Sequence, residues 1–118
     1  MSVADLMLRA PKTLTGDASV GEVREQLANP KVQLVLLADG RVFKGAVTAL
    51  PEDAAPAEPA LAYAEQDPET IPLDASDDEA FARASASPNR RVIVLDDDRN
   101  LLGLLCLNQS RTGFCSDA

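Results

Sequence analysis

Polar and hydrophobic positions along this 118-residue chain follow two kinds of rhythm, and the same succession of rhythms occurs twice. After Ser19, the apolar residues Val20, Val23 and Leu27 fall at i, i+3 and i+7, which is one stripe of an amphipathic helix. After Ser76, Ala80, Phe81 and Ala84 make a corresponding stripe of mostly smaller residues. Each stripe starts with Ser-x-x-Glu, Ser19 with Glu22 and Ser76 with Glu79. That is a capping box: the serine hydroxyl accepts from the N3 amide and the glutamate reaches back to the cap. The pattern predicts helices over 19–29 and 76–87, ended by Asn29-Pro30 and Ser87-Pro88, because proline disfavours helical geometry in the residue before it.

The rhythm then changes. Leu34-Val35-Leu36-Leu37 and Val92-Ile93-Val94-Leu95 are runs of strand length, apolar on both faces, which suits a sheet covered by helices. Polar turns follow at Asp39-Gly40-Arg41 and Asp97-Asp98-Arg99, then second strands over 42–48 and 100–106 with Gly45 and Gly103 at matching positions.

These parallels make an internal repeat. Pro11 matches Pro68, Thr13 matches Thr70, and Asp17-Ala18-Ser19 matches Asp74-Ala75-Ser76, all at an offset of 57; past the helices the offset is 58. Each copy reads short strand, helix, strand, hairpin, strand. Residues 60–66 are expected as a short helix, the counterpart of Val3–Leu8. The proline-rich stretch 50–59 reads as the connection, so the repeats are placed at 1–59 and 60–118. A lone sheet of about three strands buries too little to stand by itself, whereas two copies packed together would not.

Composition narrows the picture. Hydrophobic residues make up 46% of the chain and aromatic ones 3%, with no Trp, so the core must be Val, Leu, Ile and Ala. The net charge of −8 is concentrated in 60–118, which hold 5 basic and 11 acidic residues against 6 and 8 in 1–59. An acidic surface without a basic stripe repels phosphate backbones, so nucleic acid is not an expected partner. The start of the chain lacks a signal-peptide pattern, and no run approaches the roughly 18 apolar residues of a membrane span; no membrane association and a cytoplasmic location are expected. Cys106 and Cys115 are the two cysteines, and without histidine they cannot complete a zinc site. Cys106 is expected buried and inert and Cys115 more exposed, both as reduced thiols, with a redox pair as the alternative. Asp96-Asp97-Asp98 is expected as a solvated turn in preference to a cation site. No nucleophile–base pair or glycine-rich phosphate loop is present, so neither catalysis nor a cofactor is expected.

The residues Val3-Ala4-Asp5-Leu6-Met7, Pro11-Lys12-Thr13-Leu14, Asp17-Ala18-Ser19 and Gly45-Ala46-Val47-Thr48 together resemble a cystathionine-β-synthase-type (CBS) domain, and Pro68 to Leu107 repeat the pattern. The resemblance is to a tandem CBS pair of the stand-alone bacterial type. It implies an α/β fold of two β-α-β-β-α units packed sheet to sheet around a pseudo-twofold axis, a further pairing into a homodimer, and clefts that take adenosine-type nucleotides. Such pairs pass ligand occupancy to an attached or separate protein partner.

The resemblance also implies site residues. The family motif is Gly-h-h-Thr/Ser-x-x-Asp, h being hydrophobic, with the hydroxyl near phosphate or ribose and the Asp on the ribose hydroxyls. Here Gly45 and Thr48 are followed by Pro51, and Gly103 by Cys106 and Gln109, so neither copy keeps the carboxylate. Losing a charge-assisted acceptor would cost a ligand about 1.5–3 kcal/mol. Arg90 and Arg91 stand where members place a basic residue toward phosphate; solvated strand-edge charges are the alternative. Thr13 and Thr70 offer hydroxyls on the first strands, although β-propensity explains them equally well. The expected function is a non-catalytic regulatory module for ligand sensing or protein interaction. The rival is a purely structural dimerisation module with no small-molecule ligand. Residues 108–113 read as loop, with Phe114 either folded back on the core or meeting a partner.

Overall fold

The computed structural model describes residues 2–9, 11–30, 32–110 and 112–114. Helices are α1 (Val3–Leu6), α2 (Val20–Leu27) and α3 (Asp77–Ala86), with a 3-10 turn at Ala60–Tyr63. Strands are β1 (Thr13–Leu14), β2 (Val35–Asp39), β3 (Val42–Val47), β4 (Thr70–Ile71), β5 (Arg91–Leu95) and β6 (Leu101–Cys106). They form two sheets of the same design, β1-β2-β3 and β4-β5-β6, each with a parallel first pair and an antiparallel second pair. Two compact units result: residues 12–68, and residues 1–11 with 69–118.

The unit of residues 12–68 lays α2 on its sheet. Val23, Val35, Leu37 and Val47 are buried there together with Ala18 and Ala60. Ser19 caps α2 with both halves of the box: its hydroxyl accepts from the Glu22 amide at 3.2 Å, and its own amide donates to Glu22 Oε1 at 3.3 Å. The proline-rich connection runs along this helix. Pro56 and Glu58 carbonyls accept from the amides of Gly21 and Val20, and Arg24 donates to the Pro51 carbonyl at 2.8 Å.

The unit of residues 1–11 and 69–118 repeats the arrangement with α3. Val3, Ile71, Ala80, Ala84, Val92, Val94, Leu105 and Leu107 are buried together. Arg83 donates to the Thr70 carbonyl at 2.7 Å and ties α3 to β4. Two readings from the sequence are corrected here. Phe81 is not on the buried stripe but 43% exposed, since it lies about 100° around the helix from Ala80. Ser76 caps its helix through the Glu79 amide, but Glu79 itself pairs forward with Arg83 at 2.8 Å. In α2 the residue four positions beyond Glu22 is the uncharged Gln26, so nothing competes for the carboxylate.

The packing units do not coincide with the sequence repeats at 1–59 and 60–118. Each sheet is completed by the segment that precedes the other repeat. Leu8 exchanges both backbone hydrogen bonds with Leu104, at 2.8 and 3.0 Å; Glu65 does so with Ala46, at 2.8 and 3.0 Å. Val3 donates to the Ala75 carbonyl and Ala60 donates to that of Ala18. Edge strands β3 and β6 carry unmet backbone groups, and the same short segment type satisfies both.

Candidate ligand site

The sheet register decides which side chains share a face. Residues directly opposite in a ladder point the same way, and neighbours along a strand alternate. Val92, Val94 and Leu105 face α3 and the core. Arg91, Ile93, Leu104 and Cys106 therefore take the other face, with Arg91 opposite Cys106 and Thr70 in register with Ile93. The same logic in the other unit puts Thr13 with Leu36 and Ala46, while Thr48 stands in the bend just past the end of β3. Thr13, Thr70, Arg91 and Cys106 thus lie on a helix-free sheet face, whereas Arg90 and Thr48 flank the strands, just before β5 and just after β3. Thr13 and Thr48 belong to one unit; Thr70, Arg90, Arg91 and Cys106 to the other.

Thr13 and Thr48 are exposed, and Thr70 is half-buried with its carbonyl engaged by Arg83. The chemistry gathers at the ends of β5 and β6. Arg90 holds a left-handed backbone, φ 59°, where a side chain is disfavoured by on the order of 1 kcal/mol. Its Nε donates to the Leu107 carbonyl at 3.3 Å while its own carbonyl accepts from the Leu107 amide at 2.9 Å. Arg91 Nη1 donates to the carbonyls of Asn89 and Arg90 at 3.2 and 3.3 Å. Ser87, buried, accepts from the Arg91 amide and fixes the start of the strand.

Among the described residues neither guanidinium meets a carboxylate. The Arg91 guanidinium is held below the ordinary arginine range, first by burial and then by repulsion from Arg90. An anion placed here would offset both effects, since arginine stays charged in any case. Pro51 and Gln109 are exposed and offer no acidic oxygen.

Cys106 is buried as expected, at 5% exposed, but its oxidation state departs from expectation: it is disulfide-bonded and carries no reduced thiol. Cys115 lies outside the described residues. The sequence signal was the second cysteine nine positions on, which spacing alone could not distinguish from an unpaired thiol.

Gly45 and Gly103 also acquire a physical role. A Cβ at Gly103 would stand 2.5 Å from Met7 Sδ and 2.6 Å from the Leu8 carbonyl oxygen; one at Gly45 would stand 2.7 Å from Ala64 Cβ. Both glycines make room for the segment that completes their sheet. In the second hairpin, Asp96 accepts from the Asp98 and Asn100 amides at 2.9 and 2.8 Å and from Asn100 Nδ2 at 3.0 Å. The Asn100 side chain and backbone bonds hold its carboxyl below the ordinary aspartate value. The carboxylate therefore organises the turn, and among the described residues no three acidic or cysteine side chains gather as a metal site.

Two sheets of one design, each with a helix-covered face and a helix-free face, define a repeated α/β module. Residues 3–49 match the family model of the CBS domain. No curated protein sequence matches the chain. Among solved structures, the CBS domains of a transcriptional regulator from Streptococcus pneumoniae superpose with a TM-score of 0.73 at 17% identity, covering 88% of this chain and 91% of that one. The CBS-pair protein CBSX2 from Arabidopsis thaliana gives 0.72 at 20% identity, with 89% and 87% covered. CBSX2 in complex with AMP gives 0.72 at 17%, with 93% and 91% covered. The chain has the fold of a tandem CBS pair, and its first repeat carries the sequence pattern of the CBS domain.

Proposed function

We propose that the chain is a non-catalytic regulatory module that senses an anionic small molecule of the adenosine-nucleotide class and works as a homodimer. The observation that carries this reading is Arg91. Its guanidinium is half-buried and, among the described residues, engaged only by main-chain carbonyls, with Arg90 beside it in the chain. A charged phosphate meets both donors in the fork geometry that guanidinium favours. CBSX2, which shares the fold, has been solved with AMP, and that supports the ligand class.

The absent ribose carboxylate shifts the weight of recognition to phosphate. AMP and ATP should therefore raise the melting temperature, whereas adenosine and the cationic S-adenosylmethionine should not. Ligand at a hundred times its Kd stabilises by about 2.7 kcal/mol, which thermal shift detects readily. Arg91→Gln should abolish the response. Equal stabilisation by adenosine and AMP, or a full response in the Arg91→Gln protein, would contradict the assignment.

The second reading, a structural dimerisation module without a ligand, draws on Phe81 and Leu73, which are 43% and 39% exposed. Apolar side chains of that size are suited to a protein contact. A flat thermal response to the whole panel, with a dimer by light scattering, would favour it.

A further inference from the structure

We propose that the exposed flank of α3 is a docking surface for a basic peptide segment of another protein, in which arginines alternate with apolar residues. This role is independent of any ligand on the sheet. It emerges from the two repeats compared position by position. Val20, Gly21 and Arg24 of α2 correspond to Asp77, Asp78 and Phe81 of α3, at the offset of 57 that also relates the caps Ser19 and Ser76.

In α2 this flank already docks a peptide segment, the chain's own connection. Val20 is fully buried, and its amide donates to the Glu58 carbonyl at 2.8 Å. The Gly21 amide donates to the Pro56 carbonyl at 3.0 Å, and a Cβ at Gly21 would stand 3.4 Å from Pro56 Cβ. Arg24 donates to the Pro51 and Glu52 carbonyls at 2.8 and 3.2 Å. Glycine admits the passing backbone closely, and arginine grips its carbonyls.

The flank of α3 carries the reverse chemistry. Asp77, Asp78 and Phe81 are all exposed, Phe81 at 43%. The stretch after β6 turns back on its own strand: Leu107 bridges Phe114, and the Asn108 amide donates to the Gly113 carbonyl at 2.9 Å. Asp77 and Asp78 stand four and three positions before Phe81, which makes them its neighbours on the helix surface. Where Gly21 gives its amide to another segment, the Asp78 amide is met by Asp77 Oδ1 at 2.9 Å. Acids in a first turn suit the helix dipole, but the dipole gives no reason for the exposed ring. Carboxylates beside an aromatic face select a guanidinium, which pairs with the one and stacks on the other. An apolar neighbour in the peptide covers the remainder of the ring. A second copy of the chain, at a net charge of −8, has the wrong sign for this surface.

The test follows the backbone amides of the isotope-labelled full-length chain by NMR as a peptide of three Arg-Pro-Leu repeats is added. Asp-Pro-Leu repeats serve as the control. Saturable shifts should centre on residues 77–82 and be absent with the control. Phe81→Ser and Asp78→Asn should each weaken binding several-fold, and raised salt should weaken it further, because exposed charge pairs are screened. Both positions are exposed, so neither change empties the core. No shifts at millimolar peptide would overturn the proposal. So would shifts centred away from α3, an equal response to the acidic control, or binding that survives both substitutions. Light scattering adds a last check: a dimer that dissociates on Phe81→Ser means that a second copy occupies the flank, which also overturns the proposal.

Discussion

Gly103 shows how much a single residue can carry. Its missing side chain leaves space that the Met7 side chain and the Leu8 carbonyl fill, with that carbonyl oxygen 2.6 Å from where a Cβ would stand. A methionine side chain can swing aside, but a carbonyl that accepts from the Leu104 amide at 3.0 Å cannot without losing its pairing. Gly103→Ala should therefore destabilise by about 1–3 kcal/mol, the usual range for overpacking, measured by denaturant unfolding. Tyr63 offers a second residue-scale check because it is the one tyrosine in the sequence. Its hydroxyl donates to Glu58 Oε2 at 2.7 Å, and that hydrogen bond, with lesser burial and charge effects, raises its pKa. The raised folded value means the stabilisation is present below the unfolded pKa of roughly 10 and lost as pH climbs through the folded one. Absorbance titration at alkaline pH should give a midpoint above that of free tyrosine, and Glu58→Gln should bring it back. A midpoint unmoved by Glu58→Gln would break the link between the two side chains.

At the scale of elements, the two helices were legible from Ser-x-x-Glu and the apolar spacing because both are set by residues within one or two turns. Removing either cap, Ser19→Ala or Ser76→Ala, should cost about 1 kcal/mol by chemical denaturation. Glu22→Ala should add to the loss at α2 because Glu22 reaches back to the Ser19 amide. Glu79→Ala removes instead an exposed pair with Arg83, an interaction worth at most a few tenths of a kcal/mol. An equal loss from Glu22→Ala and Glu79→Ala would mean the two helix starts are not as different as their bonding. The hairpins followed the same local logic with different residues: Gly40 adopts φ 61° in the first, Arg99 φ 64° in the second, where the Asp96 carboxylate holds the loop. The position of Phe81 was not legible, because a short apolar stripe does not show which flank the sheet will cover.

For the whole molecule, the consequential feature is that each sheet is closed by the segment preceding the other repeat. Removing residues 2–8 should expose the β6 edge and delete the fully buried Val3, whose burial alone is worth about 1.5–3 kcal/mol. Hydrogen exchange on the shortened chain should rise first in residues 69–114 and least in 12–68. A uniform rise across both units would show that the segment stabilises them equally. By itself, the sequence determined the double α/β design, the start of both helices and the residue types of the core. Those follow from short-range periodicity and capping, which side chains a few positions apart encode directly. The tertiary structure alone decided that Leu8 pairs with Leu104, that Glu65 pairs with Ala46, that Arg91 faces Cys106, and that Cys106 is oxidised. Backbone hydrogen bonds to an edge strand carry almost no side-chain code, and facing across a ladder depends on register, so distant partners become visible only once the chain has folded.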